Sequence, residues 1–193
     1  MAARGQYVGR GGEKLKYALD HWGLDVAGRV AADFGCSIGG FTDCLLQEGA
    51  ERVYAVDTGY GMLDWKLRQD ERVVVMERTN AMHVELPEPV GILTIDAAWT
   101  CQRYIVPNAI AQSAPDGDIL SLFKPQYEAP DELVRDGRIM EGEFDGVLEA
   151  TLEELRAMRI AVRDVVRLPH ERKAKNPEAF LHIPVADCER GEA

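Results

Sequence analysis

The sequence predicts an α/β fold in which a mostly parallel sheet is covered by helices on both faces. Three observations support this class. Apolar, strand-like runs alternate with helical patterns, a glycine-rich turn follows the first of these runs, and the second run ends in an acid. Near-continuous apolar strands separated by helices are typical of a parallel sheet that is buried on both faces.

The predicted elements follow one another in regular order. The first is a helix over 13–22. We expect it to end at Gly23, because glycine is common just past a helix C-terminus. Five strands rich in β-branched or aliphatic residues follow, at 30–34, 52–56, 72–76, 91–96 and 118–123. Helical patterns separate them, notably at 41–48, 63–69 and 104–113. The longest helix and two closing strands come last, at 143–158, 160–168 and 179–185.

The composition fits one folded domain with a substantial core. The chain has 193 residues, of which 46% are hydrophobic and 28% are charged. It has neither a signal-peptide pattern nor an apolar run near the roughly 18 residues that a transmembrane helix needs. The four cysteines form no C-x-x-C pair, so neither structural zinc nor a disulfide framework is expected. We therefore expect a cytoplasmic protein.

The net charge of −11 is unfavourable for binding nucleic acid, because phosphate contacts need a basic face. The charges are unevenly distributed, however. Acids concentrate in 128–155, where we expect a solvated helical face, and 170–175 is a basic stretch. A second basic cluster lies near the N-terminus and contains Arg4, Arg10, Lys14 and Lys16. The sequence leaves open whether these clusters bind an anionic partner or serve solubility alone.

The segment 30–57 has the pattern of half a nucleotide-cofactor pocket: strand, glycine-rich turn, helix, and a strand that ends in an acid. Glycines at 35, 39 and 40 let the backbone turn tightly and lie against a ligand. Asp57 follows the first of them by 57 − 35 = 22 positions, a spacing at which it can hold two ribose hydroxyls. A plain structural turn at the end of a strand is the alternative.

The middle of the turn indicates which cofactor would fit. A dinucleotide-binding loop has glycine there to admit a pyrophosphate, whereas this chain has Ser37. The turn therefore suits an adenosine cofactor without a pyrophosphate, and S-adenosylmethionine (SAM) is the commonest of these. Its cationic sulfonium would also tolerate a neighbouring acid such as Asp33.

Polar residues follow all five of the predicted parallel strands. Because α/β sheets bind ligands at the carboxyl ends of their strands, we expect these residues to converge, although an acid there can also simply cap a helix. Lys124 is the most informative, since it ends a buried strand, and we expect Pro125 to prevent a helix from beginning there. The full set is 35–40, Asp57, 77–80, Asp96 and Lys124.

Six stretches in order along the chain carry a resemblance to a known family: 10–15, 33–43, 54–61, 67–73, 77–80 and 124–128. Together they resemble the TlyA family of FtsJ-like, SAM-dependent ribosomal RNA 2′-O-methyltransferases, which are often named hemolysins. The resemblance implies the Rossmann-like class I methyltransferase fold. This is a doubly wound, mostly parallel sheet of seven strands, the last of them antiparallel.

The resemblance also implies the site residues. A catalytic Lys-Asp-Lys-Glu tetrad would consist of Lys14, Asp96, Lys124 and Glu178. Lys124 would draw the proton from a ribose 2′-hydroxyl or stabilise the developing alkoxide, the two acids would orient the lysines, and Lys14 would position the hydroxyl or a phosphate. The implied cofactor residues are Gly35, Cys36, Ser37, Gly39, Gly40, Phe41, Asp57, Thr79, Asn80 and Asp96. Of these, Asp57 would bind the ribose and Thr79 and Asn80 would lie near the adenine.

Three aromatic residues could stack on unpaired bases: Tyr60, Trp65 and Trp99. For Trp65 we expect core packing instead. Trp99 lies in the segment 97–101, Ala-Ala-Trp-Thr-Cys, where the family commonly has a Val-Ser-Phe-Ile-Ser type run.

The domain organisation differs from the family pattern as well. The family's usual N-terminal S4 RNA-binding domain has no counterpart, so we expect 1–193 to be one methyltransferase domain, with 1–29 as a basic segment and a helix packed on it. RNA methylation is the expected function, and a protein partner or homodimer could supply RNA affinity. A non-RNA hydroxylated substrate and a SAM-binding scaffold remain alternatives. A nicotinamide oxidoreductase is disfavoured, since it would need glycine at 37 and a second domain.

Overall fold

The computed structural model describes residues 6–169 and 175–188. Seven of their strands form one sheet: β1 (Val30–Phe34), β2 (Arg52–Asp57), β3 (Val73–Glu77), β4 (Val90–Ile95), β5 (Ser113–Phe123), β8 (Asp164–Arg167) and β9 (Ala179–Pro184). A separate two-stranded hairpin consists of β6 (Val134–Arg135) and β7 (Arg138–Ile139). The order in the sheet is β3-β2-β1-β4-β5-β9-β8, and β9 runs antiparallel to both of its neighbours. This confirms the predicted seven-stranded, mostly parallel fold.

Five of the six described α-helices lie close to their predicted positions, although the third is only one turn long, and the fifth has no predicted counterpart. They are α1 (Gly11–Trp22), α2 (Gly40–Gln47), α3 (Trp65–Arg68), α4 (Gln102–Gln112), α5 (Pro125–Glu128) and α6 (Phe144–Ala157). In the part of the chain that the structure describes, none of the helices has both the length and the apolar character needed to cross a membrane.

The expectation that Pro125 would prevent a helix is wrong, because α5 begins at this residue. Proline suits the first position of a helix, where its missing N–H is not needed and its fixed φ is already helical. The steric restriction acts on the preceding residue, and Lys124 is accordingly extended, with φ −125° and ψ 100°. Lys124 therefore lies between the end of β5 and the first turn of α5.

Two apolar clusters cover the two faces of the sheet, because successive strand residues point to opposite sides. Ala32 of β1 packs in the cluster beneath α4 and α6, whereas its neighbour Ala31 packs in the cluster beneath α1 and α2. Leu15 and Leu19, one turn apart on α1, are buried in that second cluster. The docking of α1 fixes the position of the adjacent Lys14.

Candidate active site

The carboxylate of Asp57 lies at the end of β2, beside the turn that connects β1 to α2. One oxygen accepts a hydrogen bond from the backbone N–H of Ser37 at 2.8 Å, and the other accepts one from Gly59 at 2.7 Å. Each oxygen keeps a second lone pair, and the residue is only partly buried. Asp57 is therefore held in a fixed orientation with acceptor capacity left for ribose hydroxyls.

Glycines in this turn permit a close approach between protein segments. Gly35 has φ +87°, and a Cβ there would lie 2.8 Å from the backbone oxygen of Asp96. Gly39 has φ +100°, and its Cβ would lie 2.3 Å from Leu67. At Gly40, a Cβ would come within 3.1 Å of the α1 backbone. All three Cβ directions therefore meet protein. The parts of the turn that a ligand can reach are its backbone and the exposed side chains of Ser37 and Ile38.

Asp33 is completely buried beneath the first turn of α2. One oxygen accepts hydrogen bonds from the backbone N–H of Thr42 at 2.9 Å and from its hydroxyl at 2.7 Å, and the hydroxyl of Thr94 lies 3.3 Å from the other. Burial raises the pKa of Asp33 to about 7, and the nearby charge of Asp96 contributes to the rise. No part of Asp33 is exposed to a ligand, contrary to the expectation that it would lie beside a sulfonium.

The segment after β3 lies against the Asp57 end of the turn. The N–H of Thr79 donates to the backbone oxygen of Asp57 at 3.0 Å. The amide oxygen of the exposed Asn80 accepts a hydrogen bond from Met82 N–H at 2.9 Å, which leaves the amide nitrogen available as a donor. Both residues are therefore close to the end of β2, on the side where the sequence predicts the adenine.

Phe41 and Cys36, both predicted to bind the cofactor, have side chains in the apolar core. Phe41 is only 2% exposed, and its ring centroid lies 5.7 Å from that of Phe180. Cys36 is buried, its N–H donates to the backbone oxygen of Val56 at 3.1 Å, and burial raises the pKa of its thiol. The structure thus assigns packing to these side chains.

The four residues of the predicted tetrad form two ion pairs. Lys124, which is mostly buried, pairs with Asp96, and the amine of Lys14 lies 2.5 Å from Oε2 of Glu178. The first pair connects the ends of two neighbouring strands, β4 and β5. The second connects α1 to the residue just before β9.

One cavity of about 790 Å³ is lined by the Lys14–Glu178 pair, and the Lys124–Asp96 pair lies outside its lining. Lys14 and Glu178 line it together with Trp99 and Tyr127. The amine of Lys124 lies 5.9 Å from the centre of the Tyr127 ring, so this ring contacts the cavity on one side and approaches the Lys124–Asp96 pair. The volume is within the usual range for a small-molecule or nucleotide site.

The three aromatic side chains that the sequence singled out are all exposed, and one of them was expected to be in the core. Trp99 is 87% exposed, has φ +60°, and its ring centroid lies 5.2 Å from that of Tyr127. Tyr60 is exposed beneath the guanidinium of Arg78. The prediction that Trp65 packs in the core is wrong, since it is 70% exposed. Helix α3 is a single turn that buries only Leu67, so its first residue faces solvent.

Glu128 is a residue of this region to which the sequence assigned no role. Its Oε1 accepts a hydrogen bond from the N–H of Gln102 at 2.9 Å, at the first residue of α4. The thiol of Cys101 also donates to the backbone oxygen of Tyr127 at 3.1 Å. Burial raises the pKa of Glu128 to about 7. These contacts tie the loop after Asp96 to the helix after Lys124, and only the long-range contact itself could have revealed them.

Comparison with known proteins identifies the class to which this fold and site belong. Residues 7–183 match the FtsJ-like methyltransferase family. The chain is 44% identical over 126 residues to 16S/23S rRNA (cytidine-2′-O)-methyltransferase TlyA of Mycobacterium tuberculosis, a match that covers 63% of this chain and 47% of that protein. It is 38% identical over 131 residues to hemolysin A of Brachyspira hyodysenteriae, covering 64% of this chain and 53% of that one. The chain spans about half the length of these curated relatives.

Solved structures agree with this comparison. A structure described as that of a hemolysin from Streptococcus thermophilus is 34% identical, with a TM-score of 0.88, and the match covers 95% of this chain and 69% of that one. N-methyltransferase NodS from Bradyrhizobium japonicum is 15% identical, with a TM-score of 0.63, covering 91% of this chain and 97% of that one, and shows a likeness of fold alone. The comparisons confirm the predicted fold and the predicted resemblance, and the family match supports SAM as the cofactor.

Proposed function

The chain belongs to the FtsJ-like methyltransferase family, and we propose that it transfers a methyl group from SAM to a ribose 2′-hydroxyl of RNA, with ribosomal RNA as the expected substrate. The observation that carries the proposal is the cavity lined by the Lys14–Glu178 ion pair and by Tyr127, whose ring centre lies 5.9 Å from the amine of the Lys124–Asp96 pair. The names of the relatives favour an RNA substrate over another hydroxylated molecule.

The residues at the ends of β1, β2 and β3 fit the proposed cofactor. Asp57 offers oriented lone pairs to the ribose hydroxyls, and the exposed amide of Asn80 can donate to the adenine. Ser37 and the backbone of the turn would hold the methionine end. SAM supplies a methyl group that its cationic sulfonium makes susceptible to attack.

Lys124 is the proposed catalytic residue. A ribose hydroxyl is a weak acid, so it must be aligned with the methyl group and lose its proton during transfer. A neutral Lys124 amine would accept that proton, or an ammonium would stabilise the developing alkoxide. Asp96 orients the amine from the neighbouring strand. General-base assistance of this kind contributes about 10² to 10⁴ in rate.

Lys14 and Glu178 would position the substrate at the cavity. Their ion pair is partly exposed, so the amine can share its hydrogen bonds with a hydroxyl or a phosphate. Trp99 presents an exposed aromatic face at the same cavity, and such faces hold unpaired bases. The cavity would thus receive a single nucleotide with its base near Trp99 and its ribose near Lys124.

The proposal also includes the cellular compartment of the protein and the source of its RNA affinity. The four cysteines are free thiols, which accords with a reducing, cytoplasmic compartment. The net charge of −11 makes it reasonable that a protein partner or a second copy of the chain supplies part of the RNA affinity.

The test is transfer of radiolabelled methyl from SAM to purified ribosomal subunits, transfer RNA and a small-molecule extract. We expect label at a ribose 2′-oxygen of RNA. Lys124→Ala should abolish transfer while SAM affinity stays within severalfold, because Lys124 acts on the substrate. Asp57→Ala should weaken SAM binding first. Lys66→Ala is the matched control for Lys124→Ala, because it removes another ion-paired lysine, which is exposed on α3 and contacts Asp43 of α2.

The outcomes separate the alternatives. Label in the small-molecule extract alone would replace RNA with another hydroxylated substrate. SAM binding without transfer to any acceptor would favour the scaffold interpretation. Equal loss of SAM binding in Lys124→Ala and Asp57→Ala would contradict the proposed division of roles.

A further inference from the structure

Three cationic side chains without an ion-pair partner among the described residues lie together around a second cavity, which shares Lys175 with the first. Arg135 and Arg138 belong to the β6–β7 hairpin, and Lys175 lies beside it. Most other described lysines and arginines are paired, as expected in a chain with an excess of acids. The clustering of unpaired positive charge at one place therefore needs a separate explanation.

The hairpin places its two arginines directly opposite each other. Asp136 and Gly137 form its two-residue turn, and both have positive φ, +51° and +69°. Asp-Gly is a favoured sequence for such a turn, whose twist matches that of the flanking strands. Arg135 is consequently paired with Arg138 in the ladder, so the two side chains project from the same face.

This arrangement opposes the stability of the hairpin. Like charges directly opposite each other on neighbouring strands are destabilising. Neither arginine forms an ion pair within the described structure, so no ionic contact there offsets the repulsion between them. An anion bound beside the two guanidinium groups would remove the repulsion, and guanidinium groups match phosphate geometry particularly well.

Asn176 fixes the hairpin relative to the candidate active site. It is only 7% exposed, its Oδ1 accepts a hydrogen bond from Ile139 N–H at 2.9 Å, and its Nδ2 donates to Gly137 O at 2.9 Å. Glu178 follows two residues later, and Lys175 precedes it directly. The amine of Lys175 lies against the hairpin turn, since a Cβ at Gly137 would be 2.8 Å from Nζ. The three cations are thus held at a defined position beside Glu178.

The β6–β7 hairpin lies between two cavities, and this position indicates which kind of ligand the three cations would bind. Val134 and Gly137 line the cavity of the active site, whereas Arg135 and Arg138 line a second one, of about 610 Å³. Lys175 lines both. The second cavity also contains Asp136 and Glu141, so it is not a purely cationic pocket that would favour a small, highly charged anion. A strand that enters the first cavity would continue past the hairpin.

We propose that Arg135, Arg138 and Lys175 bind backbone phosphates of the RNA strand next to the nucleotide that enters the cavity. This inference rests on the proposed function and extends it by naming a surface that holds the substrate. Phosphate contacts position a strand but do not read its sequence. The hairpin therefore contributes to RNA affinity and to the KM for RNA, and leaves the chemical step and SAM binding unchanged.

The test measures RNA binding and its salt dependence in the full chain. The double variant Arg135→Gln/Arg138→Gln is compared with wild type and with Arg156→Gln. Arg156 is exposed in the last turn of α6 and also lacks an ion-pair partner among the described residues, so the control removes charge of the same type elsewhere. The probes are a fluorescein-labelled single-stranded RNA of about 20 nucleotides and purified ribosomal subunits, in roughly 50 to 300 mM KCl.

We expect the double variant to bind RNA about tenfold more weakly at the lower salt concentrations. Each lost phosphate contact on a single strand should reduce the slope of log K against log salt by about 0.7, and so by about 1.4 for two. Lys175→Gln should lower the slope by about half as much, and Arg156→Gln should leave it unchanged. The melting temperature of the double variant should be equal to or higher than that of wild type, because a like-charge pair is removed.

The outcomes distinguish this inference from the proposed function. Wild-type affinity and slope in the double variant would overturn the inference and leave the methyl-transfer proposal intact. An effect of Arg156→Gln half as large as that of the double variant would also overturn it, because this control removes half as much charge and would show that only net charge matters. Weakened RNA binding in the double variant, with no methyl transfer by wild type, would support the surface while the proposed activity fails.

Discussion

Replacing the buried Asp33 with asparagine should stabilise the protein at neutral and higher pH. Asp33 accepts two hydrogen bonds from Thr42, and an amide oxygen can accept both in its place. The second oxygen lies 3.3 Å from the hydroxyl of Thr94, which itself lies 3.3 Å from the backbone oxygen of Ala32. That hydroxyl can donate to Ala32 and accept one N–H of the new amide, whereas the second N–H finds no acceptor among the described contacts. Desolvation of this second N–H costs about 1 to 3 kcal/mol at every pH, which is less than the contribution of the Asp33 titration.

The size of the effect follows from the pKa of Asp33, which burial raises from its ordinary value of 3.8 to about 7. Between these two values the folded state holds a proton that the unfolded state has lost, so the free energy of unfolding falls as pH rises. The free energy of unfolding stops falling once the pH exceeds the pKa of Asp33 in the folded state. About three pKa units correspond to a contribution on the order of 4 kcal/mol, and Asp33→Asn should remove that dependence.

Urea unfolding of both proteins from about pH 4 to pH 8.5 tests this reasoning. Near pH 4 the difference in unfolding free energy should favour the wild type by about 1 to 3 kcal/mol, the cost of the unpaired amide N–H. It should shift towards Asp33→Asn as pH rises, by on the order of 4 kcal/mol in all, and become constant above about pH 7. Other titrating groups, including Glu128, are common to both proteins and cancel in the difference. A difference that does not vary with pH would refute the assignment of this titration to Asp33.

Two other substitutions test the packing of the site. Gly35→Ala should destabilise the protein by at least about 1 to 3 kcal/mol, because it adds a clash with Asp96 to the cost of a positive φ. Gly28→Ala, at φ +71° with open space around its Cβ, measures the backbone cost alone, and equal melting temperatures of the two variants would contradict the clash. Glu128→Ala removes the acceptor for Gln102 N–H, so it should lower stability by about 1 to 2 kcal/mol. It should also reduce kcat for methyl transfer, while SAM affinity stays within severalfold. Glu128→Gln keeps an acceptor there, and an unchanged kcat in Glu128→Ala would show that the contact does not position the site.

The sequence predicts the sheet and the residues at its strand ends because both depend on local patterns. Apolar runs mark β1 to β5 within a few residues, and Asp57, Asp96 and Lys124 lie directly after such runs. The Lys14–Glu178 contact was predicted only through the family resemblance, since nothing local relates two residues that are 164 positions apart. The catalytic and cofactor-binding roles of these residues stay predictions.

Other features depend on neighbours that the sequence does not reveal. The exposure of Trp65 follows from the shortness of α3, and the burial of Phe41 follows from its contact with Phe180 on a distant strand. The β6–β7 hairpin had a recognisable signal in Asp136-Gly137, but it lies within the acidic stretch that was interpreted as a helical face. The predicted basic residues Arg4 and 170–174 lie outside the described residues.

The position of β9 in the sheet has a consequence for the order of events during synthesis. Among the described strands β9 is the last along the chain, yet it lies between β5 and β8, so β8 has no neighbour in the described sheet until β9 has been made. Glu178 arrives with β9 and completes the ion pair with Lys14, which is synthesised 164 residues earlier. The nascent chain can therefore bring the ends of β1 and β2 together early, whereas the Lys14–Glu178 ion pair forms only after β9 has been made.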